Sequence, residues 1–261
     1  MPAKPSPEPS RGAARAGARQ FRVRWRDVVT STQEEVLAAA RAGEAEGLVV
    51  AADSQTDGRG RRGRRWDAPA RSSLLASVLL APDRPDRMPV AAGLAARDAC
   101  EALAGVRLGL KWPNDLVAAG GTKVGGVLAD VVQTSAGPLV AVGVGLNVAW
   151  PDTLPPGVTD LRRCSGAVVD RHRLLDRLVE ALDRRASQDP ATSAEDYRAA
   201  CVTVGREVRV DLGGGRSLEG RALDVTDEGW LVVRDDAGGS HAVRAGDVVH
   251  LRDRGRGPAA R

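Results

Sequence analysis

VVAADSQTDGRGRRGRRWDAPARSSLLASVLL, residues 49–80, sets two short aliphatic runs on either side of a loop that no hydrophobic core could use. Val49–Ala52 and Leu74–Leu80 read as strands, being brief, aliphatic and bounded by turn residues. Between them Gly58, Gly60 and Gly63 punctuate Arg59, Arg61, Arg62, Arg64 and Arg65, and the run closes on Trp66. Guanidinium groups this close repel one another, and the glycines raise the entropy cost of ordering the segment. The loop is therefore expected to stay mobile until something negative fixes it. Arginine offers a planar fork for carboxylate or phosphate, and Trp66 offers a ring face for stacking. A small anion with an aromatic base, such as a nucleotide, satisfies both. The plainer reading is a solvated charge run or a nucleic-acid patch.

At 261 residues the chain can hold one substantial core and a small second domain. Its hydrophobic content of 43% suits a globular protein, and no apolar run reaches the length of a membrane span. Residues 1–20 lack the apolar centre of a secretory signal and read as a disordered tail, and a cytoplasmic location is expected. Cys100, Cys164 and Cys201 have no metal spacing and read as reduced, buried thiols. The net charge of +4 sits largely in the central loop and the termini, less than a general nucleic-acid binder carries on its folded part. Lysine occurs only at Lys4, Lys111 and Lys123 against 35 arginines, asparagine only at Asn114 and Asn147, and isoleucine is absent. GC-rich coding pressure would produce that pattern. A lysine or asparagine kept inside the fold then marks a position that arginine or aspartate cannot fill.

Phe21–Val29 alternates as an opening strand, and Ser31 with Glu34 has capping-box spacing ahead of an Ala-rich helix over Glu35–Ala42. A cap accounts for Ser31 or Thr32, not for both; a helix N-terminus also presents amides to a small ligand. Val90–Leu103 reads as a buried helix and Val106–Lys111 as a strand. Pro113 cannot donate to a sheet ladder, so the strand ends in the turn Lys111-Trp112-Pro113-Asn114-Asp115. Leu116–Ala118 and Lys123–Val132 form a hairpin, and Leu139–Val148 is the most apolar strand, its Gly143 and Gly145 leaving room on the surface. Pro151–Gly166 reads as a loop, followed by helices over Arg171–Arg185 and Ala194–Cys201. His172 is expected at the surface without a partner. From Val204 five short strands with tight turns read as a small SH3-like β-barrel. The domains expected are a tail (1–20), a catalytic unit (21–203), the barrel (204–253) and a second tail (254–261).

Five motifs in this order resemble the bacterial biotin–protein ligases: Ser31-Thr32-Gln33, where that family usually has Ser-Thr-Asn; GRGRRGRRW at Gly58–Trp66; KWPND at Lys111–Asp115; KVGGVL at Lys123–Leu128; and GVGLNV at Gly143–Val148. The resemblance spans Phe21 to Leu251. It implies an α+β fold with a mixed sheet followed by an SH3-like domain, in the form without an N-terminal DNA-binding domain. It also implies activation of biotin by ATP and transfer to a lysine of a biotin carboxyl carrier domain, by a monomer or homodimer that binds neither nucleic acid nor membrane.

On the same footing, Lys123, Arg61 and Lys111 are the catalytic candidates, Lys123 holding the biotin carboxylate and bridging phosphate. Ser31, Thr32, Gln33 and Gln55 would bind biotin, with Gly125 and Gly126 flooring the pocket. Arg59, Gly60, Arg61 and Arg64 would close over the adenylate, Trp66 would stack near the adenine, and Asn147 would reach the ribose or phosphate. Asn114 would face the triphosphate, and Asp115 is the candidate Mg2+ ligand. A lipoate or octanoate ligase of related fold is the nearest alternative, and a nucleic-acid-binding module the more distant one.

Overall fold

The computed structural model describes residues 19–251. Seven strands form one mixed sheet: β1 (Arg22–Val29), β2 (Leu48–Gln55), β3 (Ser73–Leu80), β4 (Gly109–Lys111), β5 (Asp115–Val117), β6 (Lys123–Thr134) and β7 (Gly137–Asn147). Their order is β1-β2-β3-β7-β6-β5-β4, antiparallel throughout except for the parallel pair β1–β2. The long aliphatic strands take the centre because only there are both faces covered; all of β3 is buried.

Alternation then sorts the two faces. Leu74, Ala76, Val78 and Leu80 of β3, with Val140, Val142, Val144 and Leu146 of β7, enter the main core. That core is roofed by α2 (Met88–Ala104) and α4 (Arg171–Ala186). The surface of α2 that meets the sheet is mostly alanine, which lets helix and strands approach closely. It stops at Gly105, whose φ of 64° is left-handed and suits glycine. The opposite face carries Leu79 and Ala141, which meet Val36, Leu37 and Ala40 of α1 (Thr32–Arg41) in a second, smaller core. Beside α1 this face lies open, with Ser77, Gly143 and Gly145 on it.

The helix α1 begins three residues before the expected Glu35, which puts Thr32 and Gln33 in its first turn. The expected strand over Val106–Lys111 shortens to β4. The segment expected as a loop over residues 151–166 contains α3 (Leu161–Ser165), capped by the Asp160 carboxylate accepting from the Arg163 amide. A fifth helix, α5 (Pro190–Ala200), starts at a proline behind the cap Asp189. His172 does have a partner: its ring lies 3.9 Å from that of Trp25. Cys100 and Cys201 are buried, but Cys164 is exposed, because α3 brings it to the surface.

The C-terminal strands β8 (Glu207–Gly213), β9 (Arg216–Val225), β10 (Leu231–Arg234), β11 (Ser240–Val243) and β12 (Asp247–His250) form one antiparallel sheet in the order β11-β10-β9-β8-β12. The fold is α+β, with a mixed-sheet core followed by this small SH3-like unit. Among the described residues no helix is long and apolar enough to cross a membrane. The tails expected over 1–20 and 254–261 fall almost wholly outside the described residues. Arg19, at the inner end of the first, bonds to Asp183 at 2.6 Å and to Glu46 at 3.2 Å.

Candidate active site

A cavity of about 200 Å³ opens on the bare face of the large sheet. The first turn of α1, the loop after β2, the turn between β4 and β5, the start of β6 and the start of β12 surround it. Fourteen of the sixteen residues singled out above line it: Ser31, Thr32, Gln33, Gln55, Arg59, Gly60, Arg61, Arg64, Trp66, Lys111, Asn114, Asp115, Lys123 and Gly126.

Gly125 and Asn147 do not line it. The register of β5 against β6 shifts between Leu116 and Val117, and this bulge changes the strand's parity, so Lys123 and Gly126 share the cavity face. Gly125 turns instead toward β7, where a Cβ would stand 2.5 Å from the Leu146 side chain. Asn147 is buried beyond the cavity; its amide donates to the Thr159 carbonyl at 3.1 Å, and its oxygen accepts from Ser73 at 3.4 Å. These two bonds give a structural reason for an asparagine at this position.

At one end a polar chain frames the cavity. The Thr32 amide donates to Gln55 Oε1 at 2.8 Å, the Thr32 and Ser77 hydroxyls meet at 2.9 Å, and Ser77 donates to Gln33 Oε1 at 3.0 Å. Gln33 Nε2 is committed to Asp130 and to the Ala141 carbonyl, at 2.9 and 3.0 Å. Gln33 therefore holds the frame, and Ser77, the one polar side chain of the Leu74–Leu80 run, is a site residue that the motifs did not reveal. Ser31 sits at the helix cap position, yet its side chain makes no capping bond. Its Oγ is buried without a partner among the described residues.

The Arg/Gly loop is a small hairpin. Gly60 donates to the Arg64 carbonyl at 2.7 Å and Trp66 to the Gly58 carbonyl at 2.8 Å, while Arg62 and Gly63 turn at φ 55° and 72°. Glycine is required at 58, where a Cβ would meet the Trp66 carbonyl at 2.3 Å. The five arginines do not repel one another unopposed, as had been expected. Arg59 pairs with Glu34; Arg61, Arg62 and Arg64 meet Asp247; Arg65 lies 3.4 Å from both Asp57 and Asp67. The indole of Trp66 lies over Gly145, where a Cβ would come within 2.6 Å of the ring, and its Nε1 is buried without a partner. The room that Gly143 and Gly145 leave is thus taken by Gln33 and Trp66.

The cations come next. Lys123 Nζ is 2.6 Å from Asp115 Oδ1 and 5.3 Å from the centre of the Trp66 ring. Lys111 lines the cavity with no ion pair among the described residues. The Asn114 side chain is fixed by donation to the Val127 carbonyl at 2.9 Å and points its oxygen at Arg61 Nη1, 3.4 Å away. The turn is also held from the C-terminal side. The Trp112 amide donates to Thr203 Oγ1 at 3.0 Å, Thr203 Oγ1 meets His250 Nε2 at 3.1 Å, and the Trp112 indole donates to the Gly229 carbonyl at 2.9 Å. Burial, with Lys111 and Arg206 nearby, lowers the pKa of His250 to about 4, so its ring is neutral, and a neutral ring can pair with the Thr203 hydroxyl in either tautomer. Among the described residues no three His, Cys, Asp or Glu side chains converge as a metal site.

A cationic cleft with two orphaned polar atoms suits a small polar acid and a nucleotide, and similarity to known proteins points the same way. Residues 25–147 match the biotin/lipoate A/B protein ligase family, and residues 203–251 match the biotin protein ligase C-terminal domain. The biotin–[acetyl-CoA-carboxylase] ligase of Mycobacterium tuberculosis is 43% identical over 247 residues, covering 87% of this chain and 90% of that one. The enzyme of the same name from Paracoccus denitrificans is 34% identical over 72% of this chain and 85% of its own length. The Aquifex aeolicus biotin protein ligase in complex with biotin and ATP superposes with a TM-score of 0.74, at 26% identity, over 88% of this chain and 98% of that one. With likeness of that degree along most of both sequences, the chain belongs to the biotin protein ligases of the biotin/lipoate A/B protein ligase family.

Proposed function

We infer that this cavity activates biotin with ATP and passes the biotinyl group to a lysine of a biotin carboxyl carrier domain of a carboxylase. In the first step a biotin carboxylate oxygen bonds to the α-phosphorus, the bond to the β-phosphate breaks, and pyrophosphate leaves. In the second the neutral amine of the carrier lysine bonds to the acyl carbon of the mixed anhydride, and AMP leaves. The carrying observation is that Ser31 Oγ and Trp66 Nε1, both buried and without a partner among the described residues, belong to residues lining a single cleft whose charged side chains are mostly cationic.

The chemical demand of the first step is to bring an anion to a polyanion, which needs cations placed in advance. Lys123 takes the carboxylate and the α-phosphate. Until they arrive, Asp115 holds its ammonium in place at 2.6 Å. Arg61 and Arg64, with Arg59 and the Gly60 amide, contact the adenylate phosphate, and Lys111 the outer phosphates. The Ser31 hydroxyl meets the ureido ring of biotin, while Thr32, Gln33 and Gln55 fix the wall around it. Trp66 stacks on the adenine and spends its indole N–H on a nucleotide acceptor.

For Mg2+ the cavity offers Asn114 and two carboxylates, Asp115, engaged by Lys123, and Asp247, engaged by the arginines. The donor set fits an ion carried mainly by the triphosphate with Asp115 as one added oxygen, and such an ion would offset phosphate charge. Biotin-dependent exchange of pyrophosphate into ATP tests the reading. Exchange with biotin and none with lipoate is the expected result; exchange supported by lipoate alone would overturn it.

A further inference from the structure

Asp247 opens the last strand of the C-terminal sheet, yet its carboxylate lines the cavity of the ligase core. Three arginines of the 58–66 hairpin meet it there. Arg64 bonds to Oδ2, Arg62 Nη1 lies 3.4 Å from the same oxygen, and Arg61 Nη1 is 3.8 Å from Oδ1. The neighbouring Gly246 carbonyl accepts from Arg61 at 3.2 Å. Among the described residues Arg61 and Arg64 have no other carboxylate within 4.0 Å, although Asp115 also acts on Arg61 from farther off, and Arg62 has only the more distant Asp211 at 3.9 Å. Elsewhere the hairpin is held at its two ends, by Arg59 on Glu34 and by Arg65 on Asp57, Asp67 and the Thr56 carbonyl, so the turn at residues 61–64 rests mainly on Asp247.

We propose that Asp247 is a positioning residue for adenylate formation: its carboxylate stands in for a phosphate in the free enzyme and keeps the arginine hairpin folded over the cavity. The proposal rests on the biotin–ATP reading above. Guanidinium binds carboxylate and phosphate through the same fork, so an arginine can pass from one to the other without refolding the loop.

Two opposite effects follow from such a contact. Asp247 competes with ATP for the arginines, and it also removes part of the ordering entropy that ATP would otherwise have to overcome. The geometry decides between them. Arg61 has the longest of the three contacts and also reaches Asn114, so it is the arginine free to leave. Arg62 and Arg64 keep hold of Asp247, Arg64 through Nη2 alone so that its other nitrogens still reach the phosphate, and nucleotide enters without opening the latch. Ordering wins over competition.

The test is Asp247→Asn, which keeps the shape and removes the charge, with Asp247→Glu beside it. Loss of one charge-assisted contact predicts a KM for ATP raised about tenfold in Asp247→Asn, with the KM for biotin unchanged. Trypsin should cut between Arg59 and Arg65 faster in free Asp247→Asn than in the free wild type, while saturating biotin and ATP should protect both. Asp247→Glu should recover both readouts, which a merely structural role would not require, and melting curves show whether each variant is folded. An unchanged KM for ATP with unchanged cleavage, or a lower KM, would overturn the proposal. Were the wild type to show no biotin-dependent exchange, the catalytic reading would fall, while the cleavage of free wild type and variants would still decide the latch.

Discussion

Lys123 and Asp115 are bonded across the register shift of β5 and β6, Nζ to Oδ1 at 2.6 Å. The ammonium sits between that carboxylate and the Trp66 ring, 5.3 Å from the ring centre. A guanidinium keeps the charge but is wider and spreads it over three nitrogens. Lys123→Arg should therefore lose pyrophosphate exchange by about a hundredfold or more, in the range seen when one oxyanion donor is removed. Lys111→Arg, at an unpaired position on the cavity wall, should lose less. Full exchange in Lys123→Arg with a normal melting curve would move the catalytic cation elsewhere.

Gly145 is the floor beneath Trp66. A methyl group there would lie 2.6 Å from the indole, and strand backbone on both sides of β7 prevents it from retreating. Gly145→Ala should tilt the ring off its seat at a cost of about 1–3 kcal/mol. The expected outcome is a raised KM for ATP, unchanged biotin binding in the absence of nucleotide, and altered tryptophan emission. Identical ATP kinetics would mean that the ring is not the adenine platform.

Ser77→Ala removes the link between Thr32 and Gln33. Gln33 Oε1 then loses its donor in a buried setting, which costs about 1–3 kcal/mol. Calorimetric titration with biotin alone should show affinity lowered about tenfold, the lower half of that range, with the KM for ATP little changed. Affinity equal to the wild type would leave Ser77 a packing residue only.

The neutral His250 gives the fold an acid sensitivity. Its folded pKa of about 4 lies below the ordinary value of 6.5, because the ring is buried near Lys111 and Arg206. The unfolded chain thus takes up the proton first as pH falls. This contribution to stability is complete above pH 6.5, shrinks progressively below it, and is fully lost once pH has passed through 4. His250→Gln can still accept from Thr203 but cannot charge. The drop in Tm between pH 7 and pH 5 should be smaller in that variant than in the wild type; an equal drop in both would refute the assignment.

Most of the site could be read in the chain because it is made of contiguous motifs at the ends of strands, where charged side chains reach a cleft without disturbing a core. The residues that escaped are those placed by non-local geometry. Gly125 and Gly126 are indistinguishable in sequence, and only a bulge decides which of them faces the cavity. Asn147, expected to reach the ribose or phosphate, ends β7 beyond the cavity and is held there by Thr159 and Ser73. Ser77 had left a signal, as a lone hydroxyl within aliphatic residues, that no motif drew attention to. Asp247 had left none, since a carboxylate in a short polar strand has no spacing relation to arginines so far away in the chain. The charge run in the loop was plain, whereas the acids that neutralise it are scattered over Glu34, Asp57, Asp67 and Asp247.

The joining of Arg61 to Gly246 across 185 residues has a consequence for synthesis. The aliphatic strands and helices of the large sheet can begin to collapse while the chain is still growing, although their core is finished only by Val208, Val210, Leu231 and Val248 of the C-terminal sheet. The cavity cannot. Its arginine hairpin waits for Asp247, and its KWPND turn waits for Thr203 and His250. A nascent polypeptide still tethered to the ribosome before residue 247 therefore carries a folded scaffold with an unfinished reaction centre. Any product broken off short of that point lacks both the carboxylate that shapes the hairpin and the His250 ring behind the KWPND turn, so its hold on ATP is weaker than that of a molecule read through to the final strand.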